Sequence, residues 1–309
     1  MAYAVGIDIG GTKVAVGIVG EDGRLCDRIV LPTDIELQPA EMIDRICAEL
    51  EGLVDRAGIA LDELLGIGIG APGPLDAKKG LIACPPNLPG WTDVPIVETM
   101  QGRYALPVVL ENDANAATLA EKWIGAAQES DHFVYVTVST GIGAGLYLDG
   151  KLVSGSRGNA GDIGHIVIDP ARGTCTCGQK GCLEWIASGS AIARRGSELL
   201  GGPYTTQEIF ERYREGNAHI SALIEDTFTA IGIGCVTLIN LFDPERIVIG
   251  GGVSQVGSPL FRAVQQYVNR HALNPAGRRT KIIPAMLSQE AGVIGAAALI
   301  LLPEQRGWR

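Results

Sequence analysis

The chain has 309 residues, 46% of them apolar and 19% charged, with a formal net charge of -10. That length favours two domains over a single core, and the composition excludes a disordered chain. The acidic balance argues against nucleic acid and anionic membrane surfaces as partners, because phosphate-rich surfaces are met by a basic face.

A nucleotide remains compatible with this charge, since backbone N–H groups and a metal ion can hold its phosphates. The cysteines number seven, an odd count, and four of them are scattered. No paired framework is visible, which suits a reducing cytoplasm. Residues 1–8 show neither the cationic start nor the apolar core of a signal peptide. The most apolar tail, 291–302, is too short to cross a bilayer and is expected to be a buried helix.

In chain order, residues 4–9 and 14–19 are short apolar runs closed by glycine turns, and a third run follows at 28–31. Such spacing predicts antiparallel hairpins. The first turn is Asp8-Ile9-Gly10-Gly11-Thr12-Lys13. Its glycines let the backbone approach an anion and aim N–H groups at it. Thr12 adds a hydroxyl, and Asp8 at the strand end is placed to hold hydrated Mg²⁺. A plain glycine-rich turn reads the same way on spacing alone. Residues 40–57 have helical spacing and 64–70 a strand pattern, ending in Ala71-Pro72-Gly73-Pro74. The Pro-dense loop 83–91 carries Asn87, a donor and acceptor for a hydroxylated ligand or an ordinary turn former.

A strand at 108–110 runs into Glu111-Asn112-Asp113-Ala114-Asn115 and an Ala-rich helix to about 127. Asn and Asp at a helix start are common N-caps. A carboxylate at a strand-to-helix crossing can also take a proton from a substrate hydroxyl. Residues 133–140 are a strand that turns at Thr140-Gly141-Ile142-Gly143-Ala144-Gly145 and returns through 146–148. This repeats the first hairpin, which favours a duplicated architecture with two phosphate-gripping turns facing a cleft. Further on, helices are expected at 184–200, 206–214, 218–241, 258–272 and 290–302, and strands at 246–249 and 281–284. The glycines at 250–252 follow a strand, where adenine or ribose can lie against backbone.

Between the second hairpin and those helices lies His165 followed by Cys175, Cys177 and Cys182, spaced His-x9-Cys-x-Cys-x4-Cys. One imidazole and three thiolates complete a tetrahedral Zn²⁺ shell with no open position, which makes a structural site. Buried apolar fillers or one disulfide are the competing readings. The loop it would staple carries two carboxylates, Asp162 and Glu184.

Taken together, the Asp8–Lys13 turn, Ala71-Pro72-Gly73-Pro74, Asn87-Leu88-Pro89-Gly90-Trp91, Glu111-Asn112-Asp113-Ala114-Asn115, Ser139-Thr140-Gly141, Gly164-His165, the cysteine run ending in Glu184 and Gly250-Gly251-Gly252-Val253 resemble the ROK family of sugar kinases, closest to its bacterial glucokinase branch. The resemblance implies an α/β protein of the actin-like ATPase (ribonuclease H-like) fold. Its domains would be 1–115, joined by a C-terminal helix of about 295–309, and 116–294 with the zinc loop. It implies ATP, Mg²⁺ and structural Zn²⁺ as cofactors. Asp113 would be general base on the sugar 6-hydroxyl. Gly73, Asn87, Asn112, Asp162, His165 and Glu184 would bind sugar. Asp8, Gly10, Gly11, Thr12, Lys13, Thr140 and Gly141 would serve the phosphates and metal, and Gly251 and Gly252 the adenosine. A homodimer or homotetramer in the cytoplasm is expected.

The resemblance fails at one position. Asp162 stands where the glucokinases carry Glu, so its reach toward sugar hydroxyls is shorter by roughly one C–C bond, about 1.3–1.5 Å. The N-acetylmannosamine kinases also depart from Glu there. Mannose, glucosamine, fructose and N-acetylmannosamine are therefore alternatives to glucose, and polyphosphate to ATP. A non-catalytic sensor and a ROK-type transcriptional regulator are the readings from other classes. The regulator is disfavoured because the first strand begins at about residue 4, ahead of which a winged helix has no room, and because the charge is acidic.

Overall fold

A computed structural model describes residues 2–302. The N-terminal runs form β1 (Tyr3–Ile9), β2 (Lys13–Gly20) and β3 (Leu25–Pro32), an antiparallel meander. β1 and β2 are buried on both faces, so their sequences are continuous apolar runs. β3, at the sheet edge, alternates instead. α1 (Pro39–Ala57) lays Met42, Ile46, Leu50 and Leu53 into the core. β4 (Leu64–Ala71) pairs parallel to β1. A small hairpin of β5 (Leu75–Asp76) and β6 (Leu81–Ile82) precedes α2 (Ile96–Tyr104). β7 (Val108–Asn112) pairs parallel to β4 and runs directly into α3 (Asp113–Trp123).

The second half starts the same way, with β8 (Phe133–Val138), β9 (Ile142–Leu148) and β10 (Lys151–Leu152). α4 (Leu183–Ala187), α5 (Gly189–Leu200), α6 (Thr206–Arg214) and α7 (Ala218–Phe242) follow the cysteine loop. β11 (Arg246–Gly250), α8 (Ser258–His271), β12 (Lys281–Pro284) and α9 (Ala291–Leu301) complete the described chain. The sheet orders are β3-β2-β1-β4-β7 and β10-β9-β8-β11-β12. Both place an antiparallel hairpin beside two parallel strands, so the repeat seen in the two Thr/Gly hairpins extends to whole sheets.

The chain divides into two compact units, one of Met1–Glu129, Leu152–Ala160 and Gln289–Arg309, the other of Ser130–Lys151 and Gly161–Ser288. The dividing point thus falls after α3 and not near residue 115. The reason is packing: a Cβ on Gly295 of α9 would come within 1.8 Å of the Ala116 carbonyl of α3, so the two helices touch backbone to backbone. Gly6 and Gly68 admit α9 to the sheet in the same manner, with Val293 O and Ala296 O at 2.0 and 1.7 Å from where their Cβ atoms would stand. α9 is the apolar tail, and all of it except Gly292 is buried. Residues 303–309 of the expected C-terminal helix lie outside the described residues.

Two other expectations need correction. The single helix expected at 184–200 is two, because Ser188 is extended (φ −69°, ψ 167°) and its hydroxyl accepts from Ala191 N at 3.1 Å, capping a new helix. The helix after Asp113 stops at Trp123, not near 127, and the Glu121 carboxylate accepts from Ala126 N at 2.7 Å in the turn that follows. α7 is long and apolar enough to cross a bilayer by length and composition, but most of it is buried among the other helices of its own unit.

Candidate active site

Parallel pairing fixes which residues of the first unit stand level. Asp8 of β1 is opposite Gly70 of β4, and Gly70 and Ala71 are opposite Glu111 and Asn112 of β7. The carboxyl ends of three adjacent strands therefore present Asp8, the Ala71–Gly73 turn and Asn112-Asp113 in one row, the usual position for a ligand on an α/β sheet. Burial lifts the Asp8 carboxyl to about 6, against the opposing pull of Lys13. Its oxygens lie against α9, where a Cβ on Gly292 would come within 2.2 Å of Oδ2. The Gly10–Lys13 turn is closed by Gly10 N donating to Lys13 O at 2.9 Å. Asn87 packs on it, leaving no space for a side chain at Gly11, whose Cβ would be 2.7 Å from Asn87 O.

Asn112 caps α3: its Oδ1 accepts from Ala114 N at 2.9 Å and Asn115 N at 3.3 Å. With Oδ1 turned to the helix, Nδ2 is the end that faces Gly73, 3.7 Å from where that residue's Cβ would be. Asp113 is the first residue of the helix, and its Oδ1 accepts from Ala114 N at 2.8 Å. Both carboxylate and amide are half-buried.

In the second unit the turn after β8 is tight, Ser139 N donating to Gly141 O at 2.8 Å. Glu184 of α4 reaches this turn and accepts from Ile142 N at 2.8 Å. Its Oε2 would lie 2.4 Å from a Cβ on Gly141, so a side chain there would displace the carboxylate from the turn. Gly251 (φ 85°) closes over the end of β8, with Val138 O at 2.4 Å from its hypothetical Cβ. Between Thr140 and Gly252 opens a cavity of about 640 Å³, lined also by Gly189, Ser190, Thr205, Thr206, Gln207, Phe210, Arg214 and Val253. Its size and its mixed apolar and polar wall suit a nucleoside. The α5 and α6 residues of that wall were missed in the sequence, since Thr, Ser and Gln at helix starts carry no signal beyond capping.

Gly161 and Gly164 let the next loop lie on β9, their Cβ positions falling 2.0 Å from Ala144 O and 2.2 Å from Ile142 O. Asp162 is exposed, and its carboxylate has no hydrogen-bond or ion-pair partner among the described residues. His165 turns Nδ1 toward Cys175 Sγ at 3.8 Å, and Cys177 and Cys182 Sγ are 3.6 Å apart. All four ligand atoms fall within 4.8 Å of one another. Tetrahedral zinc with bonds of about 2.3 Å to sulfur needs neighbouring sulfurs at roughly 3.8 Å, so the set fits Zn²⁺ with little movement. A disulfide would need the two sulfurs at about 2.05 Å. The Gln179 backbone N–H draws the Cys177 thiol down to about 7. Burial, with the neighbouring sulfurs, pushes Cys182 up to about 12. A second staple runs beside the sulfurs. Arg172 in the loop forms a two-point ion pair with Asp226 of α7, which Arg195 of α5 also meets at 2.6 Å.

The ROK family model matches residues 4–302. A glucokinase of Thermotoga maritima is 33% identical over 310 residues, covering 96% of each chain. An N-acetylmannosamine kinase of Haemophilus influenzae is 35% identical over 294 residues, covering 94% of this chain and 93% of its own. The crystal structure of a ROK family glucokinase from Streptomyces griseus in complex with glucose and AMPPNP superposes with a TM-score of 0.84 at 33% identity, covering 97% and 99% of the two chains.

Proposed function

This chain belongs to the ROK family and is a sugar phosphotransferase of the actin-like ATPase fold, and we propose that it transfers the γ-phosphoryl of ATP to the 6-hydroxyl of glucose. The observation that carries the reading is the strand-end row: Asp8 stands level with Gly70 and Glu111 at the carboxyl ends of β1, β4 and β7, and Gly73, Asn112 and Asp113 follow within three residues along the chain.

Asp113 accepts the proton of the sugar hydroxyl as the oxygen attacks phosphorus in line. Asn112 donates from Nδ2 to a neighbouring hydroxyl, its Oδ1 being engaged by α3. Gly73 leaves room for the ring, and Asn87, Asp162, His165 and Glu184 supply the remaining sugar contacts. His165 offers the ring nitrogen that does not face Cys175. The N–H groups of Gly10, Gly11 and Thr12, the Lys13 ammonium, and Thr140 with Gly141 receive the phosphates. Asp8 would hold Mg²⁺, which would supply positive charge beside the phosphates. Adenosine occupies the cavity beside Gly251 and Gly252, the fit being one of size and polarity. His165, Cys175, Cys177 and Cys182 hold Zn²⁺, whose contribution is to fix the loop that bears Asp162. A homodimer or homotetramer in the cytoplasm completes the reading.

Asp162 supports a second reading, N-acetylmannosamine as substrate. Its carboxylate is exposed and shorter than Glu, leaving space beside the sugar, and an N-acetylmannosamine kinase is among the relatives. An ADP-release assay with Mg·ATP against glucose, mannose, fructose, glucosamine, N-acetylglucosamine and N-acetylmannosamine decides. The highest kcat/KM on glucose is expected. The highest on N-acetylmannosamine would replace the substrate and keep the mechanism. No turnover on any sugar, with zinc bound, would sink the proposal.

A further inference from the structure

One buried carboxylate of the first unit has no part in the chemistry above. Glu111 is 7% exposed, at the end of β7 immediately before Asn112 and Asp113. It collects three donors from two separate segments. Its Oε1 accepts from Asn112 N at 2.8 Å and from Asn115 Nδ2 at 3.0 Å, and its Oε2 accepts from Ser154 Oγ at 2.8 Å. Asn115 is fully buried, and its Oδ1 has no hydrogen-bond partner among the described residues, so the bond to Glu111 is what orients its amide.

Ser154 lies in Leu152–Ala160, a strap that packs with the first unit although both its flanks belong to the second. The strap is fastened at two further points. Arg157 O accepts from Ala77 N at 3.0 Å. Asn159 grips the Leu75 backbone with both ends of its amide, Oδ1 accepting from Leu75 N at 3.1 Å and Nδ2 donating to Leu75 O at 2.9 Å. Asn159 Oδ1 also stands 3.4 Å from where a Cβ on Gly73 would be, so the strap backs the sugar side of the strand-end row. The next residues along the chain are Gly161 and Asp162.

We infer that Glu111 is a positioning residue for the phosphoryl transfer: its carboxylate ties the start of α3, which carries Asn112 and Asp113, to the strap through Ser154. This rests on the proposed role of Asn112 and Asp113. Glu111 touches no reacting atom. It acts by holding the Asn112 backbone, and so the direction in which Nδ2 and the Asp113 carboxylate point. Burial holds the Glu111 carboxyl above the usual carboxylate range, against the three donors that pull it down. Three bonds of fixed direction are what hold the site, and glutamine, which has the shape of the carboxylate, can reproduce them. The Gln oxygen would accept from Asn112 N and Asn115 Nδ2, and its NH₂ would donate to Ser154 Oγ, which rotates to accept.

The test compares Glu111→Gln, Glu111→Leu and Ser154→Ala in the full chain, with melting temperature as the check on folding. Leucine leaves all three donors without this acceptor. For it we expect kcat to fall about 100-fold and the sugar KM to rise about 10-fold, with the ATP KM within about 2-fold of wild type. Glutamine should stay within about 3-fold of wild type in kcat, and Ser154→Ala should fall between the two. Hydrogen exchange at the Ala114 and Asn115 amides, both capped by Asn112, should quicken in Glu111→Leu and not in Glu111→Gln. That readout needs no turnover, so it judges Glu111 even if the sugar assay fails. Normal exchange and normal kinetics in Glu111→Leu would overturn the inference. Equal loss in Glu111→Gln and Glu111→Leu would overturn it too, since the charge itself would then be what counts. If Glu111→Leu does not fold, the other two variants decide: unchanged exchange and kinetics in Ser154→Ala, or loss in Glu111→Gln, counts against it.

Discussion

Asn112 divides its amide between two tasks, and this is why the residue pattern at 111–115 reads two ways. The oxygen is an ordinary N-cap, as helix statistics lead one to expect. The NH₂ end is left facing Gly73, which is what a hydroxyl-binding residue requires. The cap and the proposed sugar-binding group are one side chain, so neither reading displaces the other. Asp113 differs because its backbone already belongs to the helix. For Asp113→Asn we expect kcat to drop by about 10²–10⁴, the usual contribution of a general base, with sugar affinity by calorimetry changed less than about 3-fold. A kcat near wild type would remove the base from this position. Asp8 gives the pH prediction. Its folded carboxyl, at about 6, lies above the unfolded value of 3.8 because of burial. The stability from that raised value is fully present below pH 3.8 and lost as pH rises through about 6. At pH 7.5 the ionised, ligand-free side chain thus costs up to ~3 kcal/mol. Asp8→Asn should raise the melting temperature of the ligand-free protein at pH 7.5 and have little effect near pH 4, while abolishing Mg²⁺-dependent turnover. A lower melting temperature at pH 7.5 would mean that Asp8 is stabilised by contacts outweighing its desolvation.

The elements most legible in the chain were those with two-sided burial or long periodicity, such as β1, β2, α1 and α7. Their apolar pattern is set by neighbours on every side. α2 was not legible. It follows a Pro-dense loop, buries only Ile96 and Met100, and so presents no continuous stripe. The break between α4 and α5 was hidden because Ser188-Gly189 sits inside a pattern that satisfies helical spacing on both sides. The cysteine loop was legible because ligand count and spacing are chemical constraints, independent of periodicity. Its Arg172–Asp226–Arg195 staple was not, since the partners are 54 residues apart in one pair and 31 in the other. The two staples can be separated. Cys175→Ser should lose bound zinc, lower the melting temperature and raise the sugar KM, with the ATP KM little changed. Asp226→Asn should keep zinc at full stoichiometry and cost about 1–2 kcal/mol, because two arginines lose a partly buried partner. Full zinc content in Cys175→Ser would count against the ligand set.

At the scale of the molecule, the duplication showed in the two Thr/Gly hairpins, and the identical sheet orders extend it. What the chain did not reveal was how often it changes unit. α3 stays with the first sheet, Leu152–Ala160 returns to it, and α9 closes it from the far end of the chain. The places of α3 and α9 depend on backbone contacts made through glycines at 6, 68 and 295, and a glycine in a strand or helix says nothing about which distant carbonyl it admits. They also predict how damage spreads. In Gly68→Val the new Cβ would meet Ala296 O at 1.7 Å, backbone against side chain with no rotamer to relieve it. α9 would have to lift from β1 and β4, at a cost of ~3 kcal/mol or more by comparison with overpacked cores. Amide exchange should then quicken in β1, β4, β7, α3 and α9, while β8, β11 and α7 keep their protection and zinc stays bound. Units with separate cores lose protection separately. Uniform quickening across both sheets would show instead that the two cores open as one cooperative body, and the division drawn through residues 129, 151, 160 and 288 would then describe packing without describing stability.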